Sequence, residues 1–189
     1  MSSYFSETEA RSIIRDTYGQ VHSDGVAVAE ALYATEELER LPRGAVTLAL
    51  GVGHPVRHAG LKAGETVLDI GSGAGIDTLL AGQAVGRQGK AIGLDMTPAM
   101  LERAREHVGL MGLGNVELRE GLMEELPLPD ASVDAIVSNG VLNLSTRKSR
   151  ALAEMLRVLR PEGRVSIADF VITEALPEEV LNSPAALAG

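Results

Sequence analysis

Val67-Leu-Asp69-Ile-Gly71-Ser-Gly73-Ala-Gly75 runs from a short apolar segment straight into three alternate glycines. The apolar run follows the turn residues Lys62-Ala-Gly-Glu-Thr66 and reads as a strand buried on both faces. The glycines supply the positive φ angles of a tight strand-to-helix turn and let backbone N–H groups approach a ligand closely. Outward from this point the chain alternates. The pattern predicts a helix over 76–85, a strand over 90–94, a helix over 98–111, strands over 115–119 and 132–138, a helix over 147–159 and a strand over 163–170. Arg160-Pro-Glu-Gly163 is a helix stop and turn placed before the last of these strands. Five strands with helical crossovers predict an α/β fold, a sheet of about five parallel strands covered by helices on both faces.

Upstream, Ile13, Ile14, Thr17, Tyr18 and Val21 fall on one helical stripe within 7–20, and a second helical stretch is expected over 45–50. The organisation expected is an N-terminal helical segment over 1–60, a sheet domain over 61–175 and a short tail over 176–189. With 189 residues, 45% of them apolar, the chain is long enough for one packed core. Seventeen basic against 26 acidic residues give a net charge of −9, which argues against nucleic acid and anionic lipid as partners. The absence of cysteine removes disulfides, thiolate zinc sites and cysteine nucleophiles, and no metal site is expected. The first residues lack a basic and apolar leader pattern, and no apolar run approaches membrane-spanning length, so a soluble cytoplasmic protein is expected.

Two ligand classes compete for the glycine turn. A dinucleotide site wants G-x-G-x-x-G, whereas the spacing here is G-x-G-x-G with Ile76 following. Asp69, two residues before the first glycine, sits poorly beside an anion and suits a cationic or hydroxyl-bearing ligand such as S-adenosylmethionine. Asp95 closes the second strand, where its carboxylate can take both hydroxyls of a ribose or instead cap the helix that follows. Leu122 and Met123, after the third strand, either flank an adenine or belong to the core. Ser138-Asn139-Gly140-Val141 adds polar groups at the carboxyl edge of the fourth strand, the edge where open α/β sheets bind ligands.

The set VLDIGSGAG, GLDMTPAML, EGLMEELPLPDASVD, SNGVLNL and VLRPEGRVSIAD resembles class I S-adenosylmethionine-dependent methyltransferases over about residues 60–170. Within that class, Leu32-Tyr33-Ala-Thr-Glu-Glu-Leu38, Leu48-Ala-Leu-Gly51-Val-Gly53-His-Pro55 and Asp95-Met-Thr-Pro-Ala-Met100 look like the arsenite methyltransferase family, extending the resemblance from Tyr33 to Ala188. The resemblance implies a Rossmann-like methyltransferase sheet, S-adenosylmethionine as cofactor and a small-molecule methyl acceptor. It places Asp69, Gly71, Ser72, Gly73 and Gly75 around the methionine part, Asp95 and Met96 at the ribose, Leu122 and Met123 beside adenine, and Asn139 at the same edge.

Two departures matter. The family holds trivalent arsenic through cysteine thiolates, one in the turn that here reads Gly51-Val52-Gly53 and one in the segment that here reads Asn139-Gly140-Val141. Neither Val52 nor Gly140 offers a side-chain donor, and soft metalloid ions prefer thiolates, so arsenite methylation by the family mechanism is not expected. A class I sheet also ends in two further strands, for which too little sequence follows Ile172. The fifth strand is then an open edge, which predicts a homodimer, a partner subunit completing the sheet, or a shortened piece of a longer chain.

Methyl transfer from a sulfonium is an in-line displacement driven by proximity, and no general base is strictly required. If one is used, His54 and His58, which flank Pro55, are the candidates, with Asn139 as a further polar group; these also read as ordinary surface or pocket-lining residues. His107, in the polar run Arg103-Ala-Arg-Glu-His107, is expected in solvent, as is His22. Tyr33 lines the pocket through its hydroxyl or simply packs the N-terminal segment. The methionines read mainly as core filling. Three functions are therefore distinguished: a methyltransferase with a changed small-molecule substrate, a non-catalytic or half-catalytic cofactor-binding subunit of an oligomer, and a nicotinamide oxidoreductase disfavoured by the glycine spacing.

Overall fold

The computed structural model describes residues 5–21 and 25–187, so His22 lies outside the described residues. Among the described residues, five helices precede the sheet: α1 (Glu7–Gly19), α2 (Val26–Leu32), α3 (Thr35–Leu38), α4 (Arg43–Thr47) and α5 (Pro55–His58). The first begins where Ser6 and Glu9 cap each other's backbone N–H groups, at 3.3 and 2.9 Å. Ala10 and Ile14 are its buried stripe, while Thr17, expected on that stripe, is exposed.

The sheet follows as β1 (Thr66–Ile70), α6 (Ile76–Val85), β2 (Lys90–Asp95), α7 (Pro98–Met111), β3 (Val116–Glu120), β4 (Val133–Asn139), α8 (Lys148–Val158) and β5 (Leu159–Ala168). All neighbours pair in parallel, in the order β3-β2-β1-β4-β5. The five-stranded parallel sheet and its helical crossovers are those expected from the sequence. Proline at the first position of α7 and Gly112 at φ 62° just past it mark the ends of that helix.

Alternation along the strands builds two cores. Val67, Ala91, Ala135 and Val137 pack under α6 and the N-terminal helices. Leu68, Ile70, Ile92, Leu94 and Ile136 pack on the other face against Met155 and Val158 of α8. That second face is covered only in part. Leu152 and Leu156 on α8, with Val165 and Ile167 on β5, remain 44, 72, 40 and 39% exposed.

The fifth strand departs from expectation at both ends. Val133 lies opposite Leu159, then the register jumps to Ala135 opposite Arg164, so Arg160–Gly163 bulges outward with Glu162 at φ 66°. The expected turn is thus inside the strand rather than before it, and α8 stops at Val158. At the other end Asp169 and Phe170 lie past the strand. The tail, expected to hold one helix start, carries α9 (Glu178–Leu181) and α10 (Pro184–Leu187), the latter against α1. No helix among the described residues is long and apolar enough to cross a membrane.

Candidate active site

The chain runs outward from β1 through β2 to β3 and then returns to β4 on the other side, so the crossovers diverge at the carboxyl ends of β1 and β4. That divergence opens a crevice. A cleft lies there, floored by Asp69 to Ala74, walled by Asp95 and Met96 on one side and by Asn139 to Val141 on the other, and roofed by Ala10, Ile14 and Tyr18 of α1.

The glycine turn crosses its floor. Gly71, Gly73 and Gly75 have φ of 74, 52 and 96°. The N–H groups of Gly71 and Ser72 donate to the Leu94 carbonyl at 2.8 and 3.0 Å, that of Gly73 to Asp95 at 2.8 Å, and that of Gly75 to the Ser72 carbonyl at 2.8 Å. These donors are spent inside the protein, so they do not form an anion cradle. The charged groups at the surface of the turn are carboxylates, which fits a sulfonium-bearing nucleoside better than a pyrophosphate. A side chain on Gly73 would meet nothing within 4 Å, so the backbone there faces open space, and the buried Ser72 hydroxyl has no protein partner. Both features leave room for a ligand against the turn.

Three aspartates surround this floor. Asp69 is buried, accepts from the Thr78 hydroxyl, and is pushed up to about 8 by burial and then by the charges of Asp77 and Asp95. Asp95 accepts from Gly73 N–H with one oxygen and from Thr97 N–H, at 2.8 Å, with the other. Burial raises its pKa, against the pull of those hydrogen bonds. Asp77, in the first turn of α6, is likewise raised by burial, opposed by hydrogen bonds from Asn139 and Tyr33.

The far side of the cleft is held by long-range side-chain bonds. Asn139 Oδ1 accepts from the N–H groups of Val52 at 2.8 Å and Gly53 at 3.1 Å, and its Nδ2 donates to the Gly53 carbonyl at 2.8 Å and to Asp77 at 2.9 Å. This tie sets Val52 against Gly140: a side chain on Gly140, whose φ is 71°, would begin 3.4 Å from Val52 Cγ1. The two positions at which the resemblance expects thiolates therefore face each other without a donor atom. Leu122 and Met123 border the opposite end of the cleft. Their loop is anchored on α8, where Glu154 accepts from Leu126 N–H at 2.9 Å and Arg157 bonds the carbonyls of Leu126 and Leu128.

Of the expected site residues, Asp69, Gly71, Ser72, Gly73, Asp95, Met96, Leu122, Met123 and Asn139 border the cleft. Gly75 caps α6 just behind it. His54 stands apart, beneath the 51–53 turn and 6% exposed. Its Nδ1 accepts from Arg57 N–H at 3.2 Å, which leaves Nε2 to donate to Glu37, 3.1 Å from both carboxylate oxygens. His107 is buried rather than solvated, with Nδ1 2.8 Å from the Ala74 carbonyl, because α7 packs behind the glycine turn. Tyr33 is buried too and donates to Asp77 at 3.0 Å. The α1 roof was not foreseen; its signal was the Ala10, Ile14, Tyr18 spacing on a helix placed before the sheet.

A parallel α/β sheet with an acid-lined glycine turn at its switch point and a second carboxylate closing the next strand is the architecture of class I S-adenosylmethionine-dependent methyltransferases. The comparisons agree: residues 61–188 match the model of the methyltransferase domain family, and the chain belongs to that family. It is 46% identical over 157 residues to the arsenite methyltransferase of Halobacterium salinarum, covering 83% of this chain and 40% of that protein. It is 39% identical over 119 residues to the ubiquinone/menaquinone biosynthesis C-methyltransferase UbiE of Marinomonas sp., covering 62% of this chain and 47% of that one. Among solved structures, an arsenic(III) S-adenosylmethionine methyltransferase from Chlamydomonas reinhardtii superposes with a TM-score of 0.66 at 36% identity, over 87% of this chain and 55% of that chain. The chain thus spans about half the length of the relatives it matches or less.

Proposed function

We propose that this methyltransferase acts on a small molecule through an oxygen, nitrogen or carbon nucleophile, and not on arsenite by a thiolate route. The observation that carries the reading is the pairing of Val52 with Gly140 at the edge of the cleft, where no thiol stands. Similarity to a C-methyltransferase supports a carbon acceptor among the three. Asp69, Gly71, Ser72, Gly73 and Gly75 would surround the methionine part of S-adenosylmethionine, Asp95 and Met96 the ribose, and Leu122 and Met123 the adenine. The bound cofactor supplies the electrophilic methyl group. The protein's share is to hold donor and acceptor at close range in a dry cleft, which can lower a barrier by several kcal/mol (about 7 or more in the best cases). With both nitrogens of His54 engaged, an acceptor that is nucleophilic on its own suits the site best.

The test incubates the protein with arsenite, a thiol reductant and methyl-labelled S-adenosylmethionine. No methylated arsenic above the enzyme-free control is expected, and turnover would overturn the reading. Calorimetry with S-adenosylhomocysteine, with NAD as control, is expected to show binding of the first only.

A second reading, a cofactor-binding subunit that works in an oligomer, is favoured by the open edge of β5 and by the exposed Leu152, Leu156, Val165 and Ile167 beside it. Such an edge pairs with a second copy or a partner subunit. Sedimentation at micromolar concentration is expected to show an assembly; a folded monomer that binds S-adenosylhomocysteine would remove this reading.

A further inference from the structure

The 51–53 turn carries no regular secondary structure, lying between α4 and α5, yet its first residue, Gly51, lines the cleft together with Leu48 and Leu50. A loop in that position needs an anchor if donor and acceptor are to meet at a fixed distance. Asn139, the last residue of β4, fills this need. Its Oδ1 takes two consecutive backbone N–H groups, and its two Nδ2 protons are shared among the Gly53 carbonyl, Asp77 and, at 3.3 Å, the Tyr33 hydroxyl. The amide's hydrogen-bonding capacity is thereby used within the protein. Gly51 completes the fit, since a side chain there would run into the Asn139 amide.

The amide's orientation is itself fixed. Two N–H donors lie on one side, and a carbonyl and a carboxylate on the other, so flipping the amide would turn four matched contacts into mismatches. Asp77 is held in turn by Tyr33, 3.0 Å away, whose ring lies 4.5 Å from that of His54. The chain Tyr33, Asp77, Asn139 thus runs from the N-terminal helices through α6 to the sheet, and its end grips the turn.

We propose that Asn139 is a positioning residue for methyl transfer: oriented by Asp77 and Tyr33, it fixes the 51–53 turn against β4 and so sets the gap through which the acceptor reaches the methyl group. The inference rests on the methyltransferase reading of the cleft for its purpose, though not for the clamp itself. It replaces direct contact with cofactor or acceptor as the role of this residue.

The test is amide hydrogen exchange resolved at Val52 and Gly53 on the full chain, in the wild type and three variants, with core amides of β1 as reference. Asn139→Ala should speed exchange at both positions about tenfold or more, with Leu68 changed less than about twofold. Asn139→Asp keeps the acceptor but sets a second oxygen 2.9 Å from the Asp77 carboxylate, and should loosen the turn likewise. The exchanged pair Asp77→Asn with Asn139→Asp restores one donor to one acceptor and should recover protection over Asn139→Asp alone. A structural role in the fold at large would move Leu68 with the turn and would give no rescue. Unchanged protection in Asn139→Ala, or a double variant no better than Asn139→Asp, would overturn the proposal; if Asn139→Ala does not fold, the Asp pair decides it. S-adenosylhomocysteine binding by the wild type, measured in parallel, separates the outcomes: its absence would remove the donor reading while leaving the clamp result standing.

Discussion

The two halves of the cleft are built by different means. On the β1–β2 side the chain makes the site from consecutive residues: strand, Asp69, glycine turn, helix, then strand and Asp95, with the turn's N–H groups bonded to the neighbouring strand. On the β4 side the site is assembled from segments nearly ninety residues apart, joined by one amide side chain. On the proposed reading the donor lies against the wall fixed by local geometry and the acceptor against the wall held by a few side chains, which can change while the sheet stays as it is.

The sharpest contrast is expected from Gly71→Ala. The residue has φ 74°, and a side chain would enter the Val141 isopropyl group. Left-handed backbone costs about 1–2 kcal/mol and overpacking about 1–3, so a loss near 3 kcal/mol in denaturant unfolding is expected. A loss below 1 kcal/mol would mean that the turn is as adaptable as the acceptor side.

Asp95→Ala comes next. On the proposed reading, in which Asp95 holds the ribose, its removal should weaken S-adenosylhomocysteine binding about tenfold or more, corresponding to about 1.4 kcal/mol. Because Asp95 also holds Gly73 N–H at 2.8 Å, Asp95→Asn should recover part of the loss by keeping an acceptor there. Equal affinity in wild type and Asp95→Ala, by calorimetry, would place the ribose elsewhere.

What could be read in advance follows the same division. Asp69, Gly71, Gly73 and Asp95 were legible as cleft residues because each is tied to its neighbours by strand and turn periodicity, and Leu122 and Met123 by their place after the third strand. Asn139 was legible as a polar group at the sheet edge, but its bonds to Val52 and Gly53 were not, because no local pattern links residues so far apart. His107 was misread for a related reason: its polar sequence neighbours point to solvent, and only the packing of α7 behind Ala74 shows that this one side chain turns inward. The helices α2, α3 and α5 are short pieces stabilised by packing, below the length at which periodicity speaks.

Acidity should act on the buried aspartates of the cleft. Asp69, pushed up to about 8 by burial and its acidic neighbours, retains a proton in the fold that the unfolded chain releases near pH 4. Its contribution to stability is therefore full below about pH 4 and is lost as pH rises toward 8. Carboxylates held low by arginine, such as Glu154 beside Arg157, act with the opposite sign, but only as pH falls below about 4.5. The thermal midpoint of the free protein should thus decline between pH 5 and 8, and Asp69→Asn should flatten that decline. A cationic donor favours the ionised carboxylate, so S-adenosylmethionine binding at pH 7 should release protons, visible in calorimetry as a dependence on buffer ionisation heat. An unchanged slope in Asp69→Asn would assign the titration to another group.

The smallest effect on the fold is expected at the open edge. Val165 and Ile167 remain 40 and 39% exposed, and Leu152 and Leu156 on α8 44 and 72%, whereas Arg164 and Ser166 on the alternate side of β5 bond the carbonyls of Ala59, Gly60 and Pro55. At that exposure a lysine stem can cover part of the same surface, so replacing Val165 and Ile167 by lysine should cost no more than about 1 kcal/mol per site in unfolding. Two lysines on an edge strand oppose strand addition by another chain, so any assembly through β5 should dissociate in sedimentation. A double variant that keeps its fold and becomes monomeric would locate the interface at this edge. If it then still binds S-adenosylhomocysteine, the donor wall stands without the partner; if binding is lost together with assembly, the two halves of the cleft are coupled through β4, and the contrast between them is one of construction alone.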